Sequence, residues 1–130
     1  MKLVTFLYQS EQKIGAVIGD EIIDFSSSDL PQNMIEFIEL GEESIDKATA
    51  LIEKGVNKLS ISDVKLMAPI PKPNKILAVG LNYKEHRDEV KETAAKTIGQ
   101  TQEKYPNIFN KQNTSVIGPY DEIHRPKASE

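Results

Sequence analysis

The chain has 130 residues, 38% hydrophobic and 28% charged, with sixteen basic against twenty acidic side chains and a net charge of −4. That is enough apolar material for one ordinary domain, or for a small domain and part of another, and wholesale disorder is not expected. Zero cysteines exclude disulfides, thiolate zinc sites and cysteine nucleophiles. The acidic balance speaks against nucleic acid as a partner, and the longest apolar run, Ile76 to Leu81, falls far short of the ~20 residues of a membrane span. Met1-Lys2 leads straight into a strand-like run rather than a signal segment, so a cytoplasmic setting is expected.

Leu3 to Tyr8, rich in Val, Phe, Leu and Tyr, reads as a strand. Gly15 to Ile18 and Glu21 to Phe25 read as two more, joined as a hairpin through the Gly19-Asp20 turn pair. Asp29 and Pro31 mark a helix start, with Leu30, Met34, Ile35 and Ile38 at helical spacing and Gly41 as its end. A second helix is expected from Glu42 to Lys54, with an apolar face of Ile45, Ala48, Leu51 and Ile52. Glu43 can pair with Lys47 one turn on, and Gly55 serves as the stop. Asp63 to Met67 reads as a short returning strand. This half contains no histidine, and its carboxylates are scattered on expected exposed faces, so its role is that of a scaffold or docking domain.

Pro69, Pro71 and Pro73 cannot all sit inside a helix or central strand, so the stretch reads as a linker. The charge changes there too. Residues 1–65 hold six basic and twelve acidic side chains, whereas residues 66–130 hold ten and eight. The expected division is 1–68 and 69–130.

Beyond it, Lys75 to Gly80 reads as a buried strand ending in a glycine turn. Leu81 to Val90 reads as a helix with Asn82 as N-cap. His86 and Glu89 are three apart and share a helix face. A carboxylate there can hold the imidazole's tautomer and favour its charged form, which suits a general base. The same spacing also fits an ordinary charged helix, or metal ligation, although one histidine is few for the usual sites. Thr93 to Tyr105 is polar, contains Gly99 and has no clear period, as expected of a surface loop or a mobile lid. Ile108 to Lys111 and Thr114 to Ile117 are short strand candidates, Gly118-Pro119 a turn, and Ile123 to Pro126 a strand end with His124 at the surface.

The order of these residues resembles a known family. Gly80-Leu81-Asn82-Tyr83-Lys84-Glu85-His86 is similar to the G-x-N-Y-x-x-H segment of the fumarylacetoacetate hydrolase family. Glu89 follows, and Pro106-Asn107-Ile108-Phe109-Asn110-Lys111 is similar to its P-x-x-F-x-K segment. The resemblance implies an α+β chain: a small N-terminal α+β domain, then the start of the family's mixed β-roll. It implies His86 and Glu89 as a water-activating dyad, with Lys111 offering positive charge to a substrate or intermediate. It implies metal-dependent cleavage of C–C bonds in small, acylpyruvate-like diketo acids, with Mg²⁺, Ca²⁺ or Mn²⁺ as cofactor, in a homodimer. The alternatives are an isomerase or tautomerase of hydroxymuconate-type diacids on the same scaffold, or a non-catalytic folding or docking fragment. The family's E-x-E metal motif does not occur after Lys111. This chain is therefore expected to carry the base but no metal ligands, and to be inactive alone. Its apolar strand Ile76 to Val79 and Phe109 are expected to find too little to pack against.

Overall fold

The computed structural model describes residues 1–86, 88–89 and 106–127. The chain forms two compact units, residues 1–72 with 116–130, and residues 73–115. The fold is α+β around a curled antiparallel sheet.

In the first unit, β1 (Lys2–Tyr8), β2 (Glu11–Ile18), β3 (Glu21–Asp24), β4 (Lys58–Ser60) and β5 (Lys65–Leu66) form one sheet in the order β4-β3-β2-β1-β5. Val4 faces Gly15 and Phe6 faces Lys13 across the first hairpin, and Ala16 faces Ile23 across the second. The β1–β2 turn was not apparent in the sequence because Gln9-Ser10 is no glycine turn. Both residues nonetheless take positive φ, 50° and 68°, as a tight hairpin with right-handed strand twist requires. Val4, Thr5 and Phe6 are buried in succession, so both sheet faces are covered. One face packs Ile14, Ala16 and Ile23 against Phe25, Leu30, Met34, Phe37 and Ala48. The other gathers Val4, Phe6 and Ile22 under Leu59, Ile61 and Val64.

Two helices close the first face. α1 (Met34–Glu39) begins later than Asp29 and Pro31 suggest, because Asn33 is its cap and accepts from the Glu36 N–H at 2.9 Å. Leu30 reaches the core from the preceding turn, where the Ser28 hydroxyl donates to the Phe25 carbonyl at 2.6 Å. The Phe25 and Phe37 rings stack with centroids 5.7 Å apart. α2 (Glu42–Lys54) has the expected bounds, with Gly55 in the left-handed region at φ 60° and Lys47 Nζ donating to Glu43 at 2.8 Å. Its buried face differs from expectation: Ile45 is exposed and Ser44 is buried in its place. The turn at Gly41 brings the Ser44 hydroxyl within 2.7 Å of the Phe37 carbonyl, in the last turn of α1, and 2.8 Å of the Gly41 carbonyl, so its one proton is shared between the two.

The proline-rich segment is fastened to this sheet. The buried Thr5 hydroxyl donates to the Pro69 carbonyl at 2.6 Å, and Met67 N–H donates to the Thr5 carbonyl at 2.9 Å. Asn113–Ser115 form a 3₁₀ turn, which takes the first two residues of the strand expected over Thr114 to Ile117. The Ser115 N–H and hydroxyl both donate to the Gln112 carbonyl, which closes the turn. Residues 121–126 have no regular structure, so the expected strand end at Ile123 is absent there. Asp121 ties this stretch down from both oxygens. Oδ1 meets Lys65 Nζ at 2.7 Å and Oδ2 accepts from the Gly118 N–H at 2.8 Å.

The second unit contains β6 (Ile76–Gly80) paired antiparallel with β7 (Asn107–Lys111), Gly80 facing Asn107 and Ile76 facing Lys111. Leu77, Val79 and Ile108 share one face of this pair and are exposed, Leu77 at 67%. Among the described residues, no helix is long and apolar enough to cross a membrane.

A Cβ at Gly15 would lie 2.3 Å from the Ile23 carbonyl oxygen, a backbone atom with little room to yield. Gly15→Ala should therefore cost at least ~1–3 kcal/mol, the usual cost of overpacking, read as a lowered midpoint in urea. Lys65 first, then the Gly118 N–H, holds the Asp121 carboxyl below its ordinary value of 3.8. A carboxylate with a depressed folded pKa stabilises the fold above its ordinary value and loses that contribution as pH falls through the lower one. The Gly118 amide resonance should thus titrate with a midpoint below 3.8. Lys65→Met should raise that midpoint, and Asp121→Asn should abolish the titration.

Candidate functional site

β6 forms because Ile76-Leu77-Ala78-Val79 is an apolar, branched run whose backbone pairs fully with β7. The expected glycine turn at Gly80 is not where the chain turns. Gly80 is the last paired strand residue, and the left-handed residue is Leu81, at φ 53°. Residues 84–86 and 88–89 are helical. The residue directly before the helix is therefore Tyr83 rather than Asn82, and Tyr83 is exposed.

The helix brings His86 and Glu89 together. His86 Nδ1 lies 3.8 Å from Glu89 Oε2, with the two side chains 60% and 78% exposed. This distance is an electrostatic pairing rather than a hydrogen bond. The carboxylate lies on the Nδ1 side of the ring.

Lys111 is placed differently. It faces Ile76, at the end of the ladder opposite Gly80, and four residues of strand span about 13 Å. Its Nζ sits 5.4 Å from the centre of the Phe109 ring, a cation–π contact. The residue that the ladder sets beside the strand end leading to His86 is Asn107. Its side chain lies within 3.8 Å of where a Gly80 Cβ would stand. The one signal of Asn107's place in the sequence is its position two residues before Phe109, since alternate strand residues share a face.

Among the described residues, no group of three or more His, Asp or Glu side chains is placed to hold a metal ion. Asp88 and Glu89 are neighbours on a helix, and Asp121 has both oxygens committed to Lys65 and Gly118. These residues do not fit a divalent-cation site. The expected lid, Thr93 to Tyr105, lies outside the described residues, as do Glu92, Glu103 and Glu130. His124 is exposed, as expected.

Residues 75–130 match the family model described as fumarylacetoacetate (FAA) hydrolase C-terminal. The chain is 37% identical over 114 residues to the mitochondrial oxaloacetate tautomerase fahd2 of Xenopus laevis, covering 86% of this chain and 33% of that protein. It is 33% identical to the mitochondrial oxaloacetate tautomerase Fahd2a of Rattus norvegicus, covering 99% of this chain and 41% of that one. Among solved structures it is similar to maleylpyruvate hydrolase from Sphingobium sp. SYK-6, determined in complex with manganese(II) and pyruvate. The TM-score is 0.64 at 27% identity, over 98% of this chain and 43% of the other. The chain thus spans about two fifths or less of the length of these relatives. The ordered motif residues, the curled α+β fold and these likenesses agree: the chain belongs to the fumarylacetoacetate hydrolase family.

Proposed function

We propose that this chain supplies the proton-transfer part of a site acting on small 2-oxo acids, with His86 as general base and Glu89 as its positioning partner. The observation that carries this reading is the 3.8 Å approach of Glu89 Oε2 to His86 Nδ1 within the segment that matches the family model. Residues 1–68 serve as a supporting domain, and residues 69–130 begin the catalytic one.

In the hydrolytic reading, His86 takes a proton from water and the hydroxide attacks the remote carbonyl of an acylpyruvate-like diketo acid. The C–C bond breaks with its electron pair held as the enolate of the 2-oxo acid, and the imidazolium returns the proton to that carbon. Glu89, with Oε2 3.8 Å from Nδ1, is the positioning partner of the ring through both steps. The maleylpyruvate hydrolase likeness supports this reading. A second reading uses the same base without water attack. His86 removes a proton from the carbon beside the 2-oxo group and the enol oxygen takes one up. The tautomerase names of the relatives that are 31–37% identical support it. Manganese is the ion found in the hydrolase neighbour, and a divalent cation belongs to the proposal. The described residues supply no set of ligands for it, so no step here is drawn through it.

The test is turnover with Mn²⁺ present, on an acylpyruvate followed by pyruvate release and on oxaloacetate followed by loss of enol absorbance. It is run on this chain and on a chain extended with a relative's remaining segment. His86→Ala should lower turnover by ~10²–10⁴-fold, the usual loss for a general base, with metal affinity unchanged. Glu89→Gln should also be damaging. Which substrate is consumed separates hydrolase from tautomerase. Undiminished turnover of His86→Ala on every active substrate would remove His86 from the mechanism.

A further inference from the structure

Four non-glycine residues among those described have positive φ: Gln9, Ser10, Asn57 and Leu81. The first three are polar turn residues, and asparagine in particular tolerates the left-handed region. Leu81, at φ 53°, is the branched aliphatic one, and the left-handed region disfavours its Cβ. Residues better suited to that conformation stand on either side of it, Gly80 and Asn82. The strain has a visible origin. Gly80 is held extended by its pairing with Asn107, so the reversal into the helical residues 84–86 cannot begin before Leu81. A backbone outlier kept against local preference, five residues before the candidate base, is the sort of strain that clusters at functional sites.

We infer that Leu81 is a positioning residue whose left-handed backbone sets the angle at which the helix leaves β6, and so where His86 stands. The inference rests on the reading of His86 as the base, but its test does not need turnover. The chain has two histidines, and His124 lies in the other compact unit, so the His124 imidazole is an internal reference in a proton–carbon NMR spectrum.

Leu81→Gly, Leu81→Asn, Leu81→Ala and Leu81→Val are compared with wild type. At an ordinary position Ala is more stable than Gly; at a left-handed one the order reverses. Leu81→Gly and Leu81→Asn should melt at or above wild type and keep the His86 ring signal and its response to Glu89→Gln. Leu81→Val should melt lower, move the His86 signal and lose that response, with the His124 signal fixed. If the Val variant does not fold, the melting order of Gly against Ala decides. Ala above Gly would overturn the inference, as would a His86 signal unmoved in every folded variant. A His86 signal displaced by Gly or Asn but kept in Ala and Val would also overturn it, since the Leu81 side chain would then be the determinant. If the signals behave as expected while His86→Ala retains turnover, the base assignment fails and the positioning role stands.

Discussion

A short strand that must be buried on both sides dictates the first unit. Val4, Thr5 and Phe6 are consecutive and all buried, yet a strand sends alternate residues to opposite faces. No single layer can cover them. The helices take the Thr5 side, the β4–β5 turn takes the Val4 and Phe6 side, and the sheet curls between two apolar clusters. That curl admits no side chain at Gly15, where the Ile23 carbonyl comes too close. Burying Thr5 also requires a partner for its hydroxyl, and the Pro69 carbonyl is that partner. The proline-rich segment is therefore fastened through a core hydroxyl as well as bent by its rings.

What could be read from the residues alone follows this division between local and distant causes. β1, β3, α2 and β6 were legible because period, branching and stop signals lie within each segment. Gly55 needs only its own backbone to end α2. The first part of β2 and the three residues of β4 were not legible. Glu11-Gln12-Lys13 is polar and pairs only because β1 runs alongside. Ser44 displaced Ile45 from the buried face of α2 for a similar reason. The carbonyls that share its hydroxyl proton belong to α1 and to the turn between the helices. Hydrophobic period places a helix face to within one residue, and a hydrogen bond from another element decides the rest.

At the candidate site, spacing alone was enough to pair His86 with Glu89, since three residues of helix bring two side chains to one face. Two other details required the ladder. The turn glycine is a strand residue, and the turn falls on Leu81, because Asn107 holds Gly80 extended. Lys111, grouped with the dyad by motif order, sits at the opposite end of the same ladder from Gly80. Order along a chain says which residues travel together. Register says which of them share an end of a sheet.

The exposure of His86 and Glu89 bears directly on the role proposed for them. Water screens a carboxylate and an imidazole that stand 3.8 Å apart on an open helix face. The pair gains strength only when something excludes water from it, because the same separation in a medium of lower dielectric carries several times the interaction. A substrate resting against the face of the helix would do this itself. In the proposed mechanism this would coincide with the stage at which the ring holds the proton. Geometry fixed in advance and electrostatics switched on by binding are separable contributions. In the proposal made above, the backbone at Leu81 and the helix supply the first, and the bound molecule supplies the second.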